Sequence, residues 1–312
     1  MSNLVAVGVA GAPAAQEVRQ DMFSSFISYL DTSPKTVSTY TKALRSLFRY
    51  LGGHGISRPQ REDVLAYREA LKDDGCKPAT ISLYMTAARL FFRWTAQKSL
   101  YPDIAEHIKG AKLDKSHKRD YLAASQVKAV LAGVDRETLM GKRDYAMLVL
   151  MTACGLRTIE VSRANVEDMG AVGSDAVLYV QGKGHEERSE FVKLPAEVEQ
   201  AVRAYLAARG NADGGEPLFA SLSRNGQGQR LSTRSISGMV KARMQAAGFS
   251  SSRLTAHSLR HTAVTLSLLA GKSLEEVKQF ARHSSINTTL IYSHALDASQ
   301  NTCSAAVASA IF

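Results

Sequence analysis

AVLYVQGKGHEERSEFVKL, residues 176–194, is the stretch that decides the architecture. Residues 176–181 and 188–194 are rich in Val, Leu, Tyr and Phe, and the polar, glycine-bearing segment 182–187 separates them, so the pattern reads as two strands joined by a hairpin turn. Everything on either side carries helical spacing instead. Upstream, residues 144–154 form an apolar run with the length and flanks of a buried helix, and Ser125 is placed to cap a short helix before it. Downstream, helical patterns occupy residues 197–208, 232–247, 257–270 and 274–281, and a short one follows at 286–295. The fold class is therefore mainly α with a small antiparallel β-sheet.

Further toward the N-terminus the apolar period is helical throughout. Val18, Met22, Phe26 and Leu30 define a first helix, and Ser33-Pro34 supplies an N-cap and first-turn proline for a second. That helix carries Val37, Tyr40, Leu44, Leu47 and Leu51, and Gly52-Gly53 stops it. Further helices are expected around 64–71 and 81–94. From Tyr101 to Arg119 the apolar period fades while Lys109, Lys112, Lys115, His117, Lys118 and Arg119 accumulate, which reads as a basic linker, either solvated or laid along a polyanion. The expected organisation is a flexible leader (1–15), a helical domain (16–113), a linker (114–121) and a second domain (122–312).

Composition narrows the partners. Lys plus Arg number 39 against 29 acidic residues, a formal charge of +10 that favours polyanions. Cys76, Cys154 and Cys303 are odd in number and widely spaced, which fits neither a disulfide framework nor a zinc pattern and points to a reducing cytoplasm. Residues 4–15 are apolar and small, but no Lys or Arg precedes them as a signal peptide would require. No uncharged apolar run approaches the ~18–20 residues that span a bilayer, so no membrane partner is expected.

Three polar groupings stand where a packed helical domain would not ordinarily place them. Arg157 follows Gly155-Leu156 just beyond the buried helix, with Glu160 three residues on; alone, the pair reads as a helix-surface ion pair. His257-Ser258-Leu259-Arg260-His261 opens a helix, and His257 and Arg260 share a face where guanidinium and imidazole would clamp a phosphate; alone, the segment reads equally as a structural histidine-rich cap. His261, one position further, is expected to point elsewhere and pack. The segment from His283 to Tyr292 brings a further histidine and a tyrosine together. A phenol with a pKa of roughly 10 needs cationic neighbours or a base to act as a nucleophile.

Taken in order, GLRTIEV (155–161), GKGHEER (182–188), HSLRH (257–261) and HSSINTTLIYSH (283–294) resemble the tyrosine recombinases, also called phage integrases, including their Xer-like members. The resemblance is strong from about 122 to 294 and looser over the helical bundle. It implies a helical core-binding domain and an α/β catalytic domain closing as a C-shaped clamp on duplex DNA, with no separate arm-type domain ahead of the bundle. Arg157 and Arg260 become the clamp on the non-bridging phosphate oxygens, supported by Glu160. His257 and His283 become further donors or proton-transfer groups, Lys183 the general acid for the departing 5′ oxygen, and Tyr292 the nucleophile that forms a 3′-phosphotyrosyl bond. No cofactor and no metal are implied, since two arginines supply the positive charge.

The implied partners are double-stranded recombination sites, three further protomers in a homotetramer acting through a Holliday junction, and in some systems accessory DNA-bending or directionality proteins. The implied setting is the cytoplasm, on the nucleoid, of a bacterial or phage-encoded protein, with integration, excision, inversion, dimer resolution and transposition all open as roles. A type IB topoisomerase-like relaxer shares the chemistry, and a catalytically idle DNA-binding regulator would share the basic surface. Two positions depart from the pattern: Arg282 stands where the family carries glycine, and Glu186 where Xer-like members carry a second lysine. The apolar end of the chain, Ala305 to Phe312, is expected to need a surface to cover it.

Overall fold

A computed structural model describes residues 20–112, 120–181, 190–210, 212–300 and 303–311. Contacts between residues divide the chain into two compact units, Met1–Lys115 and Ser116–Phe312.

Among the described residues the first unit contains four helices: α1 (Gln20–Tyr29), α2 (Pro34–Gly53), α3 (Arg61–Asp73) and α4 (Pro78–Gln97). Ser33 caps α2 by accepting a hydrogen bond from Thr36 N at 3.3 Å, with Pro34 in the first turn, and the helix runs out at the glycine pair. Leu44, Leu47 and Leu51 lie on its buried face. Phe26, Phe48, Phe91, Phe92 and Trp94 meet edge-on or tilted at 5.2–6.2 Å between ring centres, contacts worth about 0.5–1.5 kcal/mol per pair beyond burial. The start of the expected basic linker belongs to this core instead. Tyr101, Ala105 and Ile108 are buried, and the irregular backbone around them is held by Arg61, Arg68 and Arg89, which donate to the carbonyls of Glu106, Lys109 and Ile108. Loss of helical period here marks an irregular packed segment whose backbone acceptors are satisfied by arginines.

The second unit runs α5 (Ala124–Ala132), α6 (Leu139–Ala153), α7 (Thr158–Arg163), strands β1 (Met169–Val172), β2 (Asp175–Val180) and β3 (Glu190–Lys193), then α8 (Ala196–Arg209), α9 (Thr233–Ala246), α10 (Ala256–Leu269), α11 (Leu274–Ala281), α12 (Ile286–Gln300) and α13 (Cys303–Ile311). α6 is the central helix, packed against α8, α10, α5, α9 and α7, which is why it is apolar around most of its circumference. Gly141 in its first turn is required by a close approach: a Cβ there would overlap the Asp135 carbonyl. At α5 the cap is not Ser125, which lies inside the helix; Gln126 reaches back to accept from Ala123 N at 2.8 Å.

The sheet has three antiparallel strands in the order β1-β2-β3, with Leu178 opposite Val192 and Tyr179 opposite Phe191. β1, the strand absent from the sequence reading, contains Gly170 and pairs Met169 with Leu178. Residues 182–189, where the hairpin turn was expected, lie outside the described residues. No helix among the described residues is long and apolar enough to cross a membrane.

Candidate active site

α6 ends at Cys154, and Gly155 turns the chain with φ of 61°, a left-handed conformation that glycine adopts without penalty. A side chain there would also press on the Phe280 ring, whose nearest atom lies 3.2 Å from the Cβ position. The turn buries Leu156 and makes Arg157 the N-cap of α7. Glu160, in the first turn, sends its carboxylate back to accept from Arg157 N at 2.7 Å and from Arg157 Nη1 at 2.6 Å. Its side chain is fully buried, so this is no surface ion pair.

α10 delivers the next group. Arg260 is 1% exposed, and donates to the Gly155 carbonyl at 2.5 Å through Nη1 and to the Ala281 carbonyl through Nη2. His261 corrects the sequence reading: it does not simply pack. Four residues after His257, it stands one helical turn along the same side, so the two rings meet edge to face at 4.5 Å. Its Nδ1 shares a hydrogen bond with the Tyr292 hydroxyl.

The α11–α12 corner supplies the rest. Arg282 caps α11 in the left-handed conformation (φ 51°, ψ 50°), and its carbonyl accepts from Arg157 Nη2 at 2.8 Å. His283 follows, with Nδ1 3.0 Å from Oγ1 of the buried Thr289. Tyr292 on α12 is 5% exposed and packs with Val264, Val277 and Ala281. Its ring lies near-parallel to His283 (6.2 Å, 17°) and tilted against His261 (5.0 Å).

Arg157, His257, Arg260, His261, His283 and Tyr292 thus line one cavity of about 320 Å³, together with Thr288 and Ile291. Glu160 stands behind the arginines, and Lys183 lies outside the described residues. Arg157 and Arg260 each have two of five N–H donors engaged by protein acceptors among the described residues, leaving the others for a ligand. Burial, with the charges of Arg157 and Arg282, lowers Arg260 to about 9, so it stays cationic at neutral pH. Burial pushes the Glu160 carboxyl up, but the Arg282 guanidinium and the Arg157 N–H and guanidinium outweigh it and hold the group below its ordinary range.

His283 is driven down to about 4, first by burial and then by Arg260, Arg157, Arg282 and His257. In the free protein it is therefore a neutral imidazole at pH 7. Between pH 6.5 and about 4 the unfolded chain takes up a proton at this position that the folded chain refuses, so stability falls as the pH drops through that window. Ring-proton NMR should find the His283 resonance flat from pH 8 to about 5.5. A midpoint at or above 6.5 would contradict the site's electrostatics.

The sequence assigns no site role to Thr288 and Ile291, to His261, whose signal is its four-residue spacing from His257, or to Arg282 behind the cavity, which is visible only as a departure. Residues 120–299 match the phage integrase family and residues 23–99 the phage integrase N-terminal SAM-like domain. The chain is 29% identical over 284 residues to a tyrosine recombinase of Synechococcus elongatus, covering 87% of this chain and 88% of that one. It is 30% identical over 299 residues to the tyrosine recombinase XerD of Xanthomonas axonopodis pv. citri, covering 90% and 93%. Among solved structures, the Tn1549 transposon integrase in complex with transposon right end DNA shares the fold with a TM-score of 0.70 at 17% identity, covering 88% of this chain and 93% of that one. With both matched regions in chain order and the catalytic-domain match alone covering more than half its length, the chain belongs to the phage integrase family.

Proposed function

We propose that the chain is a site-specific DNA recombinase that cuts and rejoins strands through a 3′-phosphotyrosyl intermediate. The observation that carries this reading is the convergence, from three separated stretches of sequence, of two guanidiniums, three imidazoles and a phenol on one cavity. In this reading Arg157 and Arg260 bind the non-bridging oxygens of the scissile phosphate, with His257 and His283 as further donors. The Tyr292 phenol oxygen attacks phosphorus while its proton passes to His261 Nδ1, the partner it already holds. The bond from phosphorus to the 5′ oxygen breaks, and Lys183 protonates that oxygen. Fixed guanidinium charge stabilises the pentacoordinate transition state, because it is already in place before charge develops.

The phosphotyrosyl ester conserves the energy of the broken phosphodiester. A 5′ hydroxyl from another strand can then attack it and release the phenol, which makes strand exchange independent of ATP. Paired sites and a Holliday junction require a tetramer. A surface for that assembly is supported by α13, where Val307 and Ile311 are 56% and 68% exposed, an apolar face of the kind that marks a docking surface.

The assignment of Lys183 is tested by chemistry at the leaving group. Lys183→Ala should lose cleavage of ordinary DNA and recover it when sulfur replaces the 5′ bridging oxygen, since a thiolate leaves without a proton. Equal impairment on both substrates would make Lys183 a phosphate-binding residue instead.

A further inference from the structure

We propose that Arg282 is a positioning residue of the phosphate clamp: anchored on Glu160, its guanidinium locks the 155–160 turn and the His283 turn into one fixed arrangement. The proposal rests on the strand-cleavage reading above, and deepens it.

The local structure makes the residue unusual. Its backbone is left-handed, a conformation glycine adopts freely and a side chain resists. Its side chain nevertheless folds inward and is only 5% exposed. Nη1 donates to the Phe280 carbonyl at 3.0 Å, and Nη2 lies 2.7 Å from Glu160 Oε2 and 3.5 Å from the Gly155 carbonyl. Nε is buried and makes no hydrogen bond among the described residues. A buried guanidinium with an idle donor and a resisting backbone is poorly explained as a local stabiliser.

Its connections explain it better. Glu160 divides its two oxygens, Oε1 going to Arg157 Nη1 and Oε2 to Arg157 N and Arg282 Nη2 together. Arg282 therefore meets Arg157 twice, through this shared carboxylate and through its own carbonyl. The adjacent carbonyl, at Ala281, receives Arg260, and the next residue is His283. One short corner thus ties both clamp arginines to a histidine of the cavity, and the Arg282–Glu160 pair is the bond that closes it.

Charge supports the same role. With Arg282 present, three guanidiniums surround one carboxylate, a net of +2 (3 − 1), against about two negative charges on a pentacoordinate phosphorane. Without it, Glu160 faces only Arg157 beside it and Arg260 behind, and its carboxyl must rise from the low value that Arg282 helps to maintain.

The test uses full-length protein and a pool of nicked duplexes of randomised sequence, from which wild-type protein selects the substrate by covalent capture. R282G is the chosen variant because glycine suits φ of 51°. We expect it to bind the selected duplex within about threefold of wild type, since many phosphate contacts share the binding, but to form adduct about 10- to 100-fold more slowly, as misplaced groups do. The low-pH limb of its cleavage rate should move upward, and in an E160Q background R282G should add nothing further. Unchanged cleavage, or losses from R282G and E160Q that multiply, would overturn the proposal. Should R282G melt below the assay temperature, R282K reads the same question: slowed cleavage supports the role, and a normal rate refutes it, because ammonium cannot span a carboxylate and two carbonyls. Absence of adduct with wild-type protein would instead overturn the strand-cleavage reading itself.

Discussion

Tyr292→Phe should bind its DNA site within about threefold of wild type yet form covalent adduct at least about 10⁴-fold less, as expected when a nucleophile is removed. The ring is held by Val264, Val277 and Ala281 and flanked by His261 and His283, and phenylalanine keeps all of that packing. The hydroxyl and its hydrogen bond to His261 are lost, a change worth about 1 kcal/mol of stability. Gel shift reads binding and denaturant-resistant complexes on nicked duplex read adduct. Adduct at wild-type level from the phenylalanine variant would move the nucleophile elsewhere, with Tyr145, Tyr179 and Tyr205 next to be tested.

Arg157→Lys and Arg260→Lys should each slow cleavage by about 10²- to 10³-fold, the usual effect of losing an oriented donor to a developing oxyanion. Binding should fall far less, because it is spread over many phosphates. At Arg260 the reason is structural as well as chemical. Its guanidinium bridges the carbonyls of Gly155 and Ala281 while fronting the cavity, and a single ammonium cannot do both. Leaving one of those buried carbonyls without its donor adds about 1–3 kcal/mol of destabilisation, so the lysine variant should also melt earlier. Near-normal single-turnover cleavage by either variant would count against the clamp.

α2 was legible because both its ends are written in capping chemistry, whereas the cap expected at Ser125 lies inside α5. Ser33-Pro34 before α2 and Gly52-Gly53 at its end each stand within a residue of the observed boundary. β1 was not legible, since Met-Gly-Ala-Val has little strand character and pairs only because β2 offers it an edge. The packing of Tyr101, Ala105 and Ile108 escaped for a similar reason: irregular backbone has no period, and its anchors are arginines distant in sequence.

Within the site, the motifs named Arg157, His257, Arg260, His283 and Tyr292, which meet at the cavity, but adjacency along the chain misled at His261. One residue on a helix turns by about 100°, which argued for a different face. The cavity, however, is bounded by both α10 and α12, and Tyr292 approaches from the side that His261 occupies. Arg282 was visible as an exception to a family pattern, while its bond to Glu160 joins positions whose sequence separation no local pattern spans.

Mass spectrometry of the trapped adduct shows whether Tyr292 becomes joined to a 3′ phosphate. Wild-type protein is incubated with nicked duplex, digested with protease and nuclease, and the nucleotide-bearing peptide is sequenced. A single modified peptide containing Ile291-Tyr292-Ser293 is expected, with the nucleotide attached through its 3′ phosphate to the phenol oxygen. Attachment at another residue, or through a 5′ phosphate, would contradict it.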